Sequence, residues 1–222
     1  MTLLASLVRG RSAADIGTDH GFVPVFLLRE GLADRVILTD INRGPLEKAR
    51  KNIEDLGLSK ELTDLRLGPG LTVLEKGEVD TVIIAGMGGE LIASILAEDL
   101  EKSRSFGFYV LQPRSRENVL RQWLDDNNFY VTDERLVREK GRICQVICAS
   151  PEGEGEVFKD PTDYIYPPML MASDEPIARE YFEKEKKRLK RLLKELDKSK
   201  DDEASRVRAE GFKALLEKLE SV

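Results

Sequence analysis

The run Asp80-Thr81-Val82-Ile83-Ile84-Ala85 is apolar on both of its faces, with none of the polar–apolar alternation of a half-wetted strand. A strand buried on both sides belongs in the middle of a parallel sheet covered by helices. The flanking sequence supplies one, because strand and helix patterns alternate at the spacing of crossover connections. Strands are expected at 12–16, 35–39, 63–67 and 108–111. Helices are expected at 2–9, at 21–30 with Phe22, Val25, Phe26 and Leu28 buried, and after Gly44-Pro45 with Leu46, Ala49, Ile53 and Leu56 on one face. A short helix is expected over Leu71 to Lys76, one helix bearing Leu91, Ile92, Ile95, Leu96 and Leu100, and another over Arg116 to Asp126.

Two further strand-like runs, Phe129 to Val137 and Ile143 to Ala149, are separated only by Glu139-Lys140-Gly141-Arg142. So short a connection makes an antiparallel hairpin at the sheet edge. Five parallel strands followed by such a hairpin form the α/β, Rossmann-like layout of a class I methyltransferase rather than of a dehydrogenase. After Ser150 comes the polar linker Pro151 to Glu156, then the proline-broken apolar stretch Tyr164 to Met171. Two long helical patterns close the chain. Pro176 to Lys198 carries Phe182, Leu189, Leu192 and Leu196, and Glu203 to Val222 carries Phe212, Leu215, Leu219 and Val222. With a short connection they should pair as an antiparallel, coiled-coil-like hairpin. Two domains are expected, 1–150 and 151–222.

The first strand ends in an acid and a glycine turn, Asp15-Ile16-Gly17-Thr18-Asp19-His20-Gly21, where free backbone N–H groups could approach a ligand. The second strand ends in Asp40, an acid placed to accept hydrogen bonds from both hydroxyls of a ribose. The dinucleotide fingerprint G-x-G-x-x-G is absent, and Thr18-Asp19-His20 brings bulk and negative charge where a pyrophosphate needs bare backbone. S-adenosylmethionine has no phosphate and carries a positive sulfonium and amine, so acids suit it. The candidate cofactor residues are Asp15, Gly17, Thr18, Gly21, Asp40, Ile41, Gly68, Pro69, Gly70, Ala85 and Gly86. The candidate catalytic residues are Asp19, His20 and Met87. His20, the one histidine in the chain, could act as a base near neutrality or orient substrate, or be idle at a helix start. Ala85-Gly86-Met87-Gly88-Gly89 would let an acceptor ring or the methyl donor come close to the backbone, with a plain sharp turn as the alternative.

A net charge of −6 argues against bulk nucleic-acid binding but not against a local patch. Arg114 and Arg116 follow the fifth strand onto the same rim. Lys184, Lys186, Lys187, Arg188, Lys190, Arg191 and Lys194 crowd the first C-terminal helix, and Glu183, Glu185 and Glu195 cannot pair all of them. Phosphate contact by Lys184, Lys187, Arg188 and Arg191 is one reading, and a solvated helix face is the other. Cys144 and Cys148 with one histidine cannot supply four zinc ligands, so no metal is expected and both thiols are read as buried or half-buried in a reducing cytoplasm. No apolar run reaches the roughly 20 residues of a membrane span, and no secretory signal is read in the first residues.

Taken together, these segments resemble the TrmK family of bacterial tRNA (adenine-22, N1) methyltransferases over nearly the full length. The likeness rests on Ala14-Asp15-Ile16-Gly17-Thr18-Asp19-His20-Gly21, Asp40-Ile41-Asn42-Arg43-Gly44-Pro45, Ile84 to Ile92, Leu111-Gln112-Pro113-Arg114 and the C-terminal helical hairpin. The resemblance implies a Rossmann-like methyltransferase fold, S-adenosylmethionine as donor and tRNA as acceptor. One departure stands out: the middle of Gly68-Pro69-Gly70 should be an acid or amide that reads the donor's adenine. With proline there, either a backbone carbonyl does this or adenine recognition is weaker. A methyltransferase for a small molecule or another RNA, and a non-catalytic adaptor on the same fold, are the rival readings.

Overall fold

The computed structural model describes residues 2–18, 20–197 and 203–220. The chain divides into two compact units, Met1–Arg135 with Cys144–Gly155, and Leu136–Ile143 with Glu156–Val222. The first unit runs α1 (Thr2–Ser6), β1 (Ser12–Ile16), α2 (Phe22–Arg29), β2 (Arg35–Asp40), α3 (Arg43–Asp55), β3 (Thr63–Leu67), β4 (Thr81–Met87), α4 (Gly89–Ala97), α5 (Leu100–Arg104), β5 (Phe108–Pro113) and α6 (Glu117–Asp126). The strands β6 (Tyr130–Glu139) and β7 (Arg142–Ser150) follow.

Among the described residues the sheet has seven strands in the order β3-β2-β1-β4-β5-β7-β6. Strands β1 to β5 pair in parallel, and β7 runs antiparallel to β5. Chain order therefore reverses between β1 and β4, and at such a switch point the strand ends leave a crevice for a ligand. The sheet centre is dry: Val82, Ile83, Ile84, Ile37, Leu38 and Val110 are fully buried. Each such side chain contributes about 1.5–3 kcal/mol relative to exposure. The hairpin turns through Lys140 and Gly141, both at positive φ (46° and 79°), the two-residue geometry that matches strand twist.

Several local expectations change. Residues 71–76 form successive turns instead of a helix, with Thr72 N–H on Pro69 O at 3.1 Å and Leu74 N–H on Leu71 O at 3.1 Å. A stretch so short, between left-handed Gly70 and Gly77, cannot offset the cost of helix nucleation, although Leu71 and Leu74 are buried. The helix after β4 is two helices, because Asp99 caps a new start by accepting Lys102 N–H at 2.9 Å. In α2 the buried residues are Val23, Pro24, Val25 and Leu27, while Phe22 is exposed and Phe26 and Leu28 are half-buried.

A buried charge also escaped the sequence reading. Arg121 of α6 donates to both carboxylate oxygens of Glu134 in β6 at 2.7 Å, and also to Gln145 of β7. Arg121 and Glu134 side chains are wholly excluded from solvent. A paired, bidentate guanidinium is the form in which a charge can be buried there, and removing either partner strands the other.

The second unit contains α7 (Pro168–Met171), α8 (Pro176–Leu196) and α9 (Glu203–Glu220). Leu189 of α8 and Leu219 of α9 bury against Tyr166, with Phe182, Phe212 and Leu215 around them. Lys190 reaches Glu220 at 3.0 Å. The end of α9 thus lies along the body of α8, as in an antiparallel pair. The tip of the β6–β7 hairpin also belongs to this unit: Leu136 packs with Leu170 and Ala178, beside Ile143, Ile177 and Tyr181. Arg138 on that tip pairs with Glu180 at 2.5 Å. Val222 and the 198–202 connection lie outside the described residues.

Candidate active site

The parallel register brings the carboxyl ends of β1 to β5 to one rim of the first unit. Asp15 lies opposite Leu38 of β2 and Ile83 of β4, and Ile16 lies opposite Thr39 and Ile84. Asp40 and Ala85–Met87 end their strands, and the β1–α2 turn, Ile41, Gly68–Gly70, Arg114 and Arg116 follow the strand ends. Asp19 lies outside the described residues.

Asp15 is buried and accepts a hydrogen bond from Thr18 Oγ1 at 2.6 Å. Burial raises its carboxyl pKa to about 6 against the opposing effect of the Thr18 hydroxyl, and the charge on Asp40 adds to the rise. The charge on Asp40 is thus felt at Asp15 across adjacent strand tips, and a cation beside Asp15 would favour its ionised form. Asp40 accepts Asn42 N–H on Oδ1 at 2.7 Å, with no protein hydrogen bond to its other oxygen among the described residues. Ile41 beside it is 67% exposed, an apolar surface left for a flat ring to cover.

The first turn differs from the open amide cradle expected of it. Gly17 and Thr18 N–H both donate to Thr39 O at 2.8 Å, so these two amides are committed to the sheet. A phosphate would find them occupied. A cationic, phosphate-free ligand needs no such donors. Gly17 (φ 72°) is also crossed by Met87, whose Cε would lie 2.2 Å from a Cβ at that position. Met87 thus reaches from the β4 end over the first turn. Gly21 (φ 68°) packs against Ala49 and Leu38 with little room for a Cβ, which fixes α2 to α3.

At the β4 end the register with β5 slips between Ala85 and Met87, leaving Gly86 as a bulge at φ 80°. Among the described residues nothing lies within 4 Å of where a Gly86 Cβ would project. That open cradle and the two acids form a donor set that fits S-adenosylmethionine: carboxylates for hydroxyls and positive charge, and bare backbone for close approach. Gly89 N–H donates to Ser115 O at 2.7 Å, and a Gly89 Cβ would strike Arg116 O, so α4 and the β5–α6 turn touch backbone to backbone.

At β3, Pro69 O accepts both Thr72 N–H (3.1 Å) and Thr72 Oγ1–H (2.5 Å). Both lone pairs of that carbonyl are engaged, so Pro69 O has none left for a ligand's amino group. Arg114 is exposed and donates from Nη1 to Cys144 Sγ at 3.0 Å. Arg116 is exposed, at φ 58°, and lies 3.6 Å from Glu90. Cys144 and Cys148 are free and buried, and burial pushes the Cys148 thiol up to about 12.

In the second unit the α8 cations find more acids than the nearest sequence suggested. Lys184 pairs with Glu180 (2.7 Å), Arg188 with Glu185 (2.9 Å), and Arg191 with Glu195 (3.8 Å). Glu180 and Glu220 add to the three glutamates considered from sequence. Among the described residues Lys187 has no ion pair. No three His, Cys, Asp or Glu side chains among them group as a metal site, and no helix is long and apolar enough to cross a membrane.

Two residues around the β1–α2 turn were not singled out from sequence for the site. Asn52 of α3 donates from Nδ2 to His20 O at 2.8 Å, and Phe22 stacks on the His20 ring. The amide within the apolar stripe Ala49–Ile53 was the available signal for the first. Helical periodicity concealed the second by assigning Phe22 to the core.

Comparison with known proteins gives a consistent result. The family model described as tRNA (adenine(22)-N(1))-methyltransferase, TrmK, matches residues 13–220. A Bacillus subtilis protein named tRNA (adenine(22)-N(1))-methyltransferase is 34% identical over 148 residues, 67% of this chain and 62% of that relative's length. The match thus spans a little under two thirds of that relative. The crystal structure of B. subtilis TrmK superposes with a TM-score of 0.86 at 26% identity, covering 99% of this chain and 95% of that one. Streptococcus pneumoniae Sp1610, crystallised with S-adenosyl-L-methionine, superposes at 0.81 with 31% identity, covering 97% of each chain. With the strand order of a class I methyltransferase and a family match across almost all its length, the chain belongs to the TrmK family of tRNA (adenine(22)-N(1))-methyltransferases.

Proposed function

We propose that this protein transfers a methyl group from S-adenosylmethionine to N1 of an adenine in tRNA, with adenine 22 as the target by kinship. The observation that carries the reading is the pair of acids, buried Asp15 and Asp40, at adjacent strand tips beside a turn whose amides are already taken. Such a site repels phosphate and favours a cation attached to a ribose. Residues 1–150 hold the donor in this reading, and residues 151–222 contribute further phosphate contacts.

When bound, S-adenosylmethionine supplies an electrophilic methyl on its sulfonium. Asp40 would hold the ribose hydroxyls, with Ile41 against the adenine face. Asp15 and the Gly17–Thr18 turn would face the positively charged methionine end. Gly21, Gly68, Pro69, Gly70, Ala85 and Gly86 would line the remainder, Gly86 giving the closest backbone approach. Adenine N1 already has an in-plane lone pair, so the protein's task is alignment rather than deprotonation. The methylated ring is cationic, and a carboxylate at Asp19 would stabilise that charge as it develops. His20 and Met87 border the same turn and would orient the acceptor. N1 is hidden in a base pair, so the nucleotide has to leave its stack.

Arg114, Arg116, Lys184, Lys187, Arg188 and Arg191 are the proposed phosphate contacts. Lys187 is the readiest of the helical four, since the others would exchange a carboxylate for a phosphate. The substrate would place the protein in the cytoplasm. The test is transfer of labelled methyl from the donor to unmodified tRNA, with the site mapped by where reverse transcription stops. A block at one adenine supports the reading. Methylation of small molecules only, or donor binding without transfer to tRNA, defeats it.

A further inference from the structure

The turn after β1 places two aromatic rings side by side at the start of α2. His20 and Phe22 have ring centroids 5.4 Å apart and planes 17° from parallel. The arrangement comes from two successive left-handed residues, His20 at φ 61° and Gly21 at φ 68°. For Gly21 that backbone is free of strain, but for His20 it costs energy and needs an external hold. Asn52 Nδ2, donating to His20 O at 2.8 Å, provides it from α3. Phe22 leads a helix whose Val23, Pro24, Val25 and Leu27 are buried, yet it is itself 47% exposed. A large aromatic left half in water beside a strained, braced turn is arranged for something to cover it.

We propose that the His20–Phe22 stack is a platform for an unpaired base of the RNA substrate, and that Asn52 is its positioning residue. This rests on the tRNA reading above. A base that leaves its helix loses its stacking neighbours, and a flat ring pair replaces them whatever the base identity. The platform is uncharged in its Phe22 half, which suits a base face rather than a phosphate. The donor's own adenine is assigned to the β2 and β3 ends, where Asp40 and Ile41 lie.

The experiment measures steady-state methyl transfer to unmodified tRNA, and donor affinity by calorimetry, for the full-length protein and its variants. Phe22→Ala, and Phe22→Leu, which keeps apolar bulk but has no π-face, are expected to raise KM for tRNA by roughly 5- to 150-fold, the worth of one base–aromatic stack. Phe22→Trp should keep KM within about twofold, since it retains the stack. Donor affinity should be unchanged throughout. Asn52→Asp keeps the shape but loses the amide donor, and should raise KM for tRNA with donor affinity intact. An unchanged KM in Phe22→Ala and Phe22→Leu overturns the platform, as does a loss of donor affinity equal to the rise in KM. If the unmodified protein itself transfers nothing to tRNA, the functional reading falls and the platform with it. Activity in the parent with indifferent Phe22 variants removes the platform alone.

Discussion

Replacing Asp15 with Asn tests the electrostatics of the site through stability alone. Burial holds the Asp15 carboxyl at about 6 in the folded protein, whereas an unfolded chain returns it to about 3.9. Between those values the folded state binds the proton more tightly, so stability falls as pH rises through the window and levels off above about 6. The full penalty, about two pKa units, is about 3 kcal/mol at pH 7 and above. Asparagine cannot ionise, can still accept from Thr18, and does not repel Asp40. Other costs of the substitution are independent of pH, so the widening gap between the two proteins is the signal. From pH 5 to pH 8 one pKa unit of the window remains to be crossed, and Asp15→Asn should gain about 1.4 kcal/mol on the parent. In thermal melts that is a relative shift of roughly 3–6 °C for a chain of this size. Urea titrations at both pH values provide the second readout. A gap that stays constant or narrows toward pH 8 would refute the account of a buried carboxyl carrying a charge it cannot solvate. Donor binding should show the opposite trend in the parent, tightening as pH rises toward 6, because a cation favours the ionised form.

Asp40→Ala should weaken S-adenosylmethionine by about 1.5–3 kcal/mol, the range for hydrogen bonds to a charged group, measured by calorimetry; full retained affinity removes the ribose assignment. Gly17→Ala forces a Cβ into Met87 at a left-handed position, so a loss of about 1–3 kcal/mol in chemical denaturation is expected together with reduced methyl transfer. Arg121→Ala leaves Glu134 buried without its partner and should cost about 3–5 kcal/mol in the same assay. Thr39 Oγ1 is buried with no hydrogen bond among the described residues, and Thr39→Val should stabilise the protein by about 1 kcal/mol.

Much of this architecture was legible in order along the chain because it depends on local pattern. The doubly apolar run at Thr81–Ala85, the glycines that end helices, and the short Lys140-Gly141 turn each dictate an element within a few residues of themselves. The acids at Asp15 and Asp40 could be placed at strand ends for the same reason, since a strand end is a local feature and parallel strands share one rim. What periodicity misjudged are sites where several surfaces compete. Phe22 fits the apolar face of α2 by spacing, but the turn through His20 and Gly21 leaves it half in water beside the His20 ring. Leu71 and Leu74 are three apart as in a helix, but the segment between two left-handed glycines is too short to become one.

The chain by itself determined a parallel sheet with acids at two neighbouring tips, because side-chain alternation and strand ends are properties of neighbours in sequence. Only the tertiary structure decided that the Gly17 and Thr18 amides belong to Thr39, that Arg121 and Glu134 are buried as a pair, and that Asn52 braces His20. Each of those links joins residues on different elements, where partner choice depends on which donors and acceptors folding leaves without water.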